Sequence, residues 1–458
     1  MPKPTFDSQL IQRYDQTGPR YTSYPTALQF DAAFDGHAYR QQAQLSGKNN
    51  RDLSLYFHLP FCDTVCFYCA CNKIVTKNRK RAQPYLDYLH KEIQLQAELF
   101  DDTRKVEQLH WGGGTPTFIS HEQMQALMQT TREHFNLHDD DNGEYSIEID
   151  PREANADTIA LLRELGFNRL SLGVQDIEPK VQQAVNRIQP IETTLDCIHI
   201  ARQQQFHSIS VDLIYGLPHQ TVNSFHTTLE AIIDMDPDRI SVFNYAHMPA
   251  LFKTQRQIQE QDLPCAAEKL AILEDSINSL TDAGYVYIGM DHFAKPEDEL
   301  AKAQANGQLY RNFQGYSTHA QCDLIGMGVT SIGKVHDSYS QNHRTMDEYT
   351  HALDQNSLPI LRGVTLNKDD KLRRHVITEL ICNFKLDKNQ IAQQYNIVFD
   401  DYFSDSLSEL VEMQQDELLR IEQDEIKVTD KGSLFIRNIC MAFDKYLEHA
   451  SHRYSKVI

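Results

Sequence analysis

The sequence predicts an α/β fold, a full or partial (β/α) barrel on a parallel sheet, followed by a smaller and mostly helical C-terminal domain. Three observations lead there. From residue 53 onward, short runs rich in Val, Ile, Leu and Tyr alternate with helix-like stretches, the pattern of parallel strands joined by crossover helices. Polar or glycine residues gather at the C-terminal ends of those runs, the face on which β/α barrels build their sites. Past residue 360 the rhythm stops and amphipathic helical patterns replace it. At 458 residues the chain is longer than one hydrophobic core usually serves, so a large domain with a smaller companion also fits its length.

The strand runs, in order, are "LSLYFHLPF" (53–61), "VEQLHWGGG" (106–114), "YSIEID" (145–150), "RLSLGVQD" (169–176), "SISVDLIYGLP" (208–218) and "RISVFNYA" (239–246), with "YVYIGMDHFA" (285–294) as a seventh. The stretch "CAAEKLAILEDSINSLTDAG" shows the helices between them: Leu270, Leu273, Ile277 and Leu280 recur at helical spacing and a glycine ends the pattern. Cysteines follow the first strand, Gly112 to Thr115 the second, and Glu148 and Asp150 lie in the third. Gln175 ends the fourth, Asp212 lies in the fifth, Asn244 ends the sixth, and Asp291 and His292 close the seventh. One mouth is expected to collect them. Each alone could be a turn former or a helix cap. Glu148 and Gln175, however, sit inside apolar runs, where an unpaired polar group costs about 1 to 3 kcal/mol. In the last hundred residues "DDKLRRHVITELICNF", "FSDSLSELVEMQQDELL" and "KGSLFIRNICMAFDKYL" read as amphipathic helices.

Charge and cysteine usage narrow the class. A balance of 44 Lys+Arg against 64 Asp+Glu gives a net charge of -20, which argues against nucleic acid or an anionic membrane as a general partner. The N-terminus lacks the apolar core of a signal sequence and no run approaches a membrane span, so a cytoplasmic protein is expected. Nine cysteines, five of them widely scattered (Cys197, Cys265, Cys322, Cys382, Cys440), do not suggest a disulfide framework.

The other four are the chemical signal. "FCDTVCFYCACNK" (61–73) puts Cys62, Cys66, Cys69 and Cys71 within ten positions. Structural zinc ordinarily uses two separated ligand pairs, for which this spacing leaves no room. A thioredoxin-like reading of Cys66 and Cys69 leaves Cys62 and Cys71 unexplained. Iron–sulfur ligation fits better, since Cys-x3-Cys-x2-Cys on one loop can wrap a cubane cluster with Phe67 and Tyr68 as an apolar shield. If three cysteines bind, one iron stays open to a ligand. Spacing alone leaves Cys71 open as a further ligand. "GGGTP" (112–116) follows a strand, where glycines let backbone amides approach a ligand. It is neither the dinucleotide fingerprint nor a Walker motif.

A CxxxCxxC loop after the first strand of a partial barrel, with a glycine-rich turn after the second, resembles the radical S-adenosylmethionine (SAM) superfamily. "GPRYTSYPTALQF", "YFHLPFCDTVCFYCACNK", "LHWGGGTPT", "SIEIDPRE", "NRLSLGVQD", "VDLIYGLP", "SVFNYAHMP", "IGMDHFA", "LIGMGVTSIG" and "LICNF" are together similar to the oxygen-independent coproporphyrinogen III oxidases, through nearly the whole chain. The resemblance implies a partial (β/α)6-type radical SAM barrel over 51–350. It also implies an extension over 1–50 that helps close the active site, and a helical C-terminal domain over 360–458. The implied activity is oxidative decarboxylation of two propionates of coproporphyrinogen III to the vinyl groups of protoporphyrinogen IX, in haem biosynthesis.

The same resemblance implies the site. Cys62, Cys66 and Cys69 are the expected ligands of one 4Fe-4S cluster, with Cys71 a non-ligating fourth cysteine. Tyr56 and Tyr68 are expected to contact SAM, Gly113, Gly114 and Thr115 to line its methionine end, and Glu148 to accept hydrogen bonds from a ribose. Gln175, Arg187, Asp212, Ala246 and Ile332 complete a cradle for two SAM molecules. Tyr68 stands where the family commonly has phenylalanine and Ala70 where glycine occurs; neither change is expected to cost activity.

The family further implies a low-potential electron donor such as a flavodoxin, an unidentified final electron acceptor and a monomer. A substrate with four carboxylates calls for basic groups, and Lys73, Lys77, Arg79, Lys80 and Arg81 follow the cysteine loop, with Arg20 as another candidate. That basic run serves equally as a solvated face or as a docking surface for an acidic donor. Asp291 and His292 could move protons or orient the substrate. The competing reading is a haem-binding chaperone of the same family, which lacks the "GPRYTSYPT" segment and the Cys69-x-Cys71 pair; both are present here.

Overall fold

The computed structural model describes residues 3–447. Contacts divide it into two units. The larger comprises Phe30–Asp275 and Gln321–Thr365; the smaller is assembled from the N-terminal residues to Gln29, from Ser276–Ala320, and from the chain from Leu366 onward.

The larger unit is organised by a sheet whose first six strands follow chain order: β1 (Leu53–Leu59), β2 (Lys105–Gly113), β3 (Glu144–Ile149), β4 (Arg169–Gln175), β5 (Ser208–Tyr215) and β6 (Arg239–Asn244). Each pairs parallel to the next. β7 (Asp323–Met327) lies parallel to β1 on its other side, and β8 (Ile332–Val335), β9 (Ser338–Asn342) and β10 (Ile360–Thr365) continue antiparallel from it. The six-strand βα series expected from sequence is therefore present, and three antiparallel strands extend it.

Crossovers run through α1 (Ala82–Ala97), α2 (His121–His134), α3 (Ala156–Glu164), α4 (Ile191–Gln203) and α5 (Val222–Asp234). Their boundaries are written locally. Ser120 and Gln123 form a capping box at the start of α2, and Thr221 with Ser224 does the same for α5. In α2 the residues turned inward are Met124, Leu127, Met128 and Thr131, at helical spacing. In β1, Leu53, Leu55, Phe57 and Leu59 are buried on one face and Ser54 and His58 on the other, as expected of a strand covered on both faces.

The alternate residues of these strands carry the polar groups. In register, Tyr56 stands opposite His110, His110 opposite Ser146, Glu148 opposite Ser171 and Gly173 opposite Asp212. Hydrogen bonds between His110 and Ser146 (2.6 Å) and between Ser171 and Asp212 (3.0 Å) link neighbours across that face. A two-residue period thus puts the apolar set against the helices and the polar set inside.

The run at 285–294 is not a seventh parallel strand. It splits into Val286–Gly289 and His292–Ala294, paired antiparallel, and belongs to the smaller unit. Gly289 at φ 135° and Met290 at φ 56° make the turn, which places Asp291 in a hairpin loop. The smaller unit contains the expected helix Lys368–Asn383, packed against Ile436–Met441. The second expected helix, 403–419, is broken into Ser404–Glu409 and Val411–Gln415, with Phe399–Tyr402 a separate turn of helix before it, and a three-stranded antiparallel sheet (Lys385–Asp387, Leu419–Ile421, Glu425–Val428) accompanies them. This part is mixed α/β rather than purely helical.

Candidate active site

The cysteine loop leaves β1 at Pro60 and is held at both ends. Phe61–Cys62 pairs in parallel with Ile74–Val75, closing a ring of main chain around the intervening residues. Other elements then fix its interior. The Phe67 amide donates to Val185 O (2.9 Å), and Asn186 Nδ2 donates to Val65 O (2.8 Å). Gln255 Nε2 donates to Tyr68 O (2.9 Å), and Thr254 Oγ1 to Cys69 O (3.2 Å). Phe67 and Tyr68 pack against Val181, Val185, Leu217, Tyr245 and Ile258, which gives the aromatic shield an apolar seat.

The glycine turn lies against this loop. Gly114 N donates to Leu59 O (2.8 Å) and Thr115 N to Phe61 O (2.7 Å). A Cβ on Gly114 would stand 2.5 Å from Phe61 O and 2.8 Å from the Pro60 carbonyl carbon. Only glycine fits there, because what it would strike is backbone.

Cys62, Cys66, Tyr68, Cys69, Cys71, Gly113, Gly114, Thr115, Glu148, Gln175, Arg187 and Asp212 line one cavity of about 350 Å³ in the larger unit. Eleven of these were expected at the site as ligands or cofactor contacts, Cys62, Cys66 and Cys69 among them as the metal ligands, and Cys71 was expected close by without ligating. Ile149, Ile214 and Phe243 supply apolar wall. Three expected residues stand behind it. Tyr56 stacks on His110 (centroids 5.8 Å apart, planes 12°), and His110 Nε2 lies 3.3 Å from Glu148 Oε1. Ala246 O accepts from Gln255 (3.2 Å), the same amide that holds Tyr68. Ile332 opens β8, and its carbonyl packs against Gly326, the β7 neighbour of Tyr56.

Electrostatics around the sulfurs is cationic. Arg187 Nη1 lies 3.6 Å from Cys66 Sγ and 2.9 Å from Asp150 Oδ2; Arg152 Nη2 lies 3.8 Å from the same sulfur and 2.6 Å from the same carboxylate oxygen. Lys73 Nζ donates to Cys69 O (2.9 Å). Burial pushes the Cys62 thiol up to about 11, against the hydrogen bond from Thr115. The hydrogen bond from Cys71, aided by the Lys73 ammonium, brings Cys69 down to about 6. Burial opposes ionisation of Glu148, but His110 and the Gly113 amide (3.0 Å) outweigh it and hold the carboxyl below its ordinary value. Asp212, buried and near Glu148, is pushed up to about 6. His58 Nε2 bonds to Asn72 O (3.1 Å) in the cysteine loop. Among the described residues no three His, Cys, Asp or Glu side chains close on a point as ligands of a single ion do; the loop's four thiols line the cavity wall instead.

Sequence reasoning did not single out Arg152 or assign Asp150 a role beside the cysteines. "DPRE" following a strand was the available signal, and its meaning depends on a fold that brings it to residue 66.

Residues 56–232 match the radical SAM superfamily and residues 366–435 match the HemN C-terminal domain. An oxygen-independent coproporphyrinogen III oxidase of Pseudomonas aeruginosa is 50% identical over 454 residues, covering 99% of both chains. The chain belongs to the oxygen-independent coproporphyrinogen III oxidase family. Members from Escherichia coli and Helicobacter pylori are 48% and 43% identical, over 99% of this chain and 98% and 100% of theirs. The solved structure of coproporphyrinogen III oxidase from E. coli, described as a radical SAM enzyme, superposes with a TM-score of 0.93 at 47% identity, over 97% of this chain and all of that one. Membership makes the chain a radical SAM oxidoreductase of porphyrin biosynthesis, with an iron–sulfur cluster and SAM as its cofactors. The cavity suits them: thiols on one wall, cations beside those thiols, and a turn too close to the loop for any side chain.

Proposed function

We propose that the chain converts coproporphyrinogen III to protoporphyrinogen IX without oxygen, each of two propionates losing a β-hydrogen atom, one electron and CO2 to become a vinyl group. The observation that carries this reading is the meeting of Cys62, Cys66 and Cys69 with Glu148, Gln175, Arg187 and Asp212 in one cavity, in a chain alike over nearly its full length to enzymes of that name.

When bound, the cluster and SAM supply a 5′-deoxyadenosyl radical that takes the hydrogen atom. Cys62, Cys66 and Cys69 are the proposed ligands of one 4Fe-4S cluster, a choice supported by their spacing and by the guanidiniums beside Cys66 that offset thiolate charge. Cys71, the exposed member of the four, is left as a non-ligand. Gly113, Gly114 and Thr115 are proposed to line the methionine end of SAM, where the lack of a side chain at 113 and 114 leaves room for it against the turn. Glu148, ionised and oriented by His110 and Gly113, is suited to accept from ribose hydroxyls. Tyr56 acts through His110. Tyr68, Thr115, Gln175, Arg187, Asp212, Ala246 and Ile332 complete a cradle proposed for two SAM molecules. Ile149, Ile214 and Phe243 keep water from the reacting atoms.

The same reading carries the division into an extension over 1–50, a catalytic barrel over 51–350 and a C-terminal domain over 360–458. It includes a flavodoxin-like donor, a separate final electron acceptor, a monomeric state and a cytoplasmic setting. Among the described residues no helix is long and apolar enough to cross a membrane.

Anaerobic reconstitution, reduction, and addition of SAM and coproporphyrinogen III test the proposal. Protoporphyrinogen, 5′-deoxyadenosine and CO2 are expected together. Tight haem binding without turnover would instead support the chaperone.

A further inference from the structure

In the smaller unit, Arg311 occupies the middle of Tyr310–Asn312 and pairs across a short hairpin with Tyr316. Its guanidinium carbon lies 4.7 Å from the Tyr316 ring centroid, so one face of the cation rests on an aromatic surface. The Tyr316 ring is itself held edge-on by His292, 5.2 Å away at 86°. Arg311 is only 6% exposed, yet its Nε and Nη1 have no hydrogen-bond partner. Two unsatisfied N–H donors on a buried cation are costly, and a native fold ordinarily pairs such a group with an anion.

The surroundings raise that demand. Arg437, also buried, donates through Nε to Pro19 O (2.9 Å) and through Nη2 to Gly18 O, fixing the chain just before Arg20. Arg20 Nη1 reaches Asp291 Oδ2 at 2.9 Å in the hairpin turn. Burial, with Arg20 and more weakly Arg311 adding to it against the pull of Asp291, pushes Arg437 down to about 10. Asp291 already answers Arg20. Asp444 accepts from Tyr21 (3.1 Å), and burial raises its carboxyl toward the neutral form. Burial likewise holds the thiols of Cys382 and Cys440 protonated. Asp291 and Asp444 thus answer Arg20 and Tyr21, and neither reaches the Nε or Nη1 of Arg311.

We infer that Arg311, flanked by Arg20 and Arg437, is a binding site for a carboxylate of the substrate, one propionate of coproporphyrinogen. A guanidinium braced on a ring presents its donors as a fixed fork, the geometry that suits a carboxylate's two oxygens. This rests on the function proposed above, since it is the tetracarboxylate substrate that brings the anion.

The test uses the reconstituted, SAM-loaded full chain and coproporphyrin III, an aromatic analogue with the same four propionates, followed by fluorescence titration. Its tetramethyl ester, without the charges, is the control. R311Q is expected to weaken coproporphyrin III binding tenfold or more, to raise the KM for coproporphyrinogen III by a similar factor, and to leave the ester and SAM isotherms where they were. R311K, which keeps the charge and loses the fork, should fall between. Should R311Q not fold, R20Q and R311K carry the test, each expected to raise the substrate KM and spare SAM binding. Equal losses for acid, ester and SAM would reveal a structural role and overturn the site. A wild-type chain that decarboxylates coproporphyrinogen while R311Q keeps an unchanged KM would sink the site alone; a wild type that does not decarboxylate it would sink the functional reading beneath.

Discussion

The side-chain amide of Gln255 is bonded to the main chain of Tyr68 at 2.9 Å, joining a residue late in the barrel to the centre of the cysteine loop. The same side chain donates to Ala246 O and accepts from the Met248 amide (2.6 Å), at 1% exposure. Q255L would strand three main-chain groups, each costing about 1 to 3 kcal/mol when left unpaired in the interior. Iron per chain and SAM affinity after anaerobic reconstitution are both expected to fall, together with thermal stability. Wild-type values for iron and SAM would show that the clamp does not shape the site.

The thiols are separable. C62S is expected to lose both iron and activity, whereas C71S should keep iron near the wild-type level, because Cys71 is the exposed member of the group. Iron and acid-labile sulfide assays with electron paramagnetic resonance settle this. Iron loss in C71S would mean that the ligand set has been misread.

Glu148 is a matter of charge rather than of shape. E148Q preserves volume but removes the anion that His110 and Gly113 stabilise. A hydrogen bond to a charged group contributes about 1.5 to 3 kcal/mol, so SAM binding or reductive cleavage should drop roughly 10- to 100-fold with the cluster intact. Isothermal titration on the reduced, loaded protein provides the measurement.

A methyl group at residue 114 should be worse than one at 113. The Gly114 Cβ would meet the main chain of Pro60 and Phe61, while that of Gly113 would meet the side-chain ring of His58 at 2.7 Å. G114A is therefore expected to retain less cluster than G113A, even though Gly113 has the positive φ of 116°. Iron content of the two variants purified in parallel decides it.

Glu92 sets a pH dependence of stability. Fully buried, it accepts from Tyr349 Oη (2.6 Å), the Gly328 amide (2.7 Å) and Asn342 Nδ2 (2.7 Å), yet burial dominates and pushes its carboxyl up from 4.5 to about 7. Between those values the folded state binds the extra proton, so stability from this group is complete below about pH 4.5, declines as pH rises toward 7, and is level above. The decline is roughly 3 kcal/mol. E92Q, a neutral stand-in, should flatten that part of the curve in urea titrations from pH 5 to 8. An unchanged slope would assign the effect elsewhere.

The sequence made the βα series legible because each of the six strands is a short apolar run bounded by turn residues. It made the cysteine loop and the glycine turn legible because their spacing has few other uses. The hairpin at 285–294 was misjudged as one strand: its apolar period is continuous, and only the backbone sign at Gly289 and Met290 reveals the reversal. Arg152 was missed because its partner sulfur is 86 positions away. The helix expected over 403–419 breaks into short turns followed by a strand beginning at Leu419, a choice made by pairing with Glu425–Val428 rather than by local preference.

The bonds from Val185, Asn186, Thr254 and Gln255 to the cysteine loop have a consequence for maturation. A ribosome that has just released residue 75 has delivered all four thiols but none of these four partners. Those partners are made 110 or more positions later, so the iron centre is expected to be installed after synthesis of the barrel, into a nearly finished protein. A short peptide bearing the same cysteines would be a poor mimic of the site.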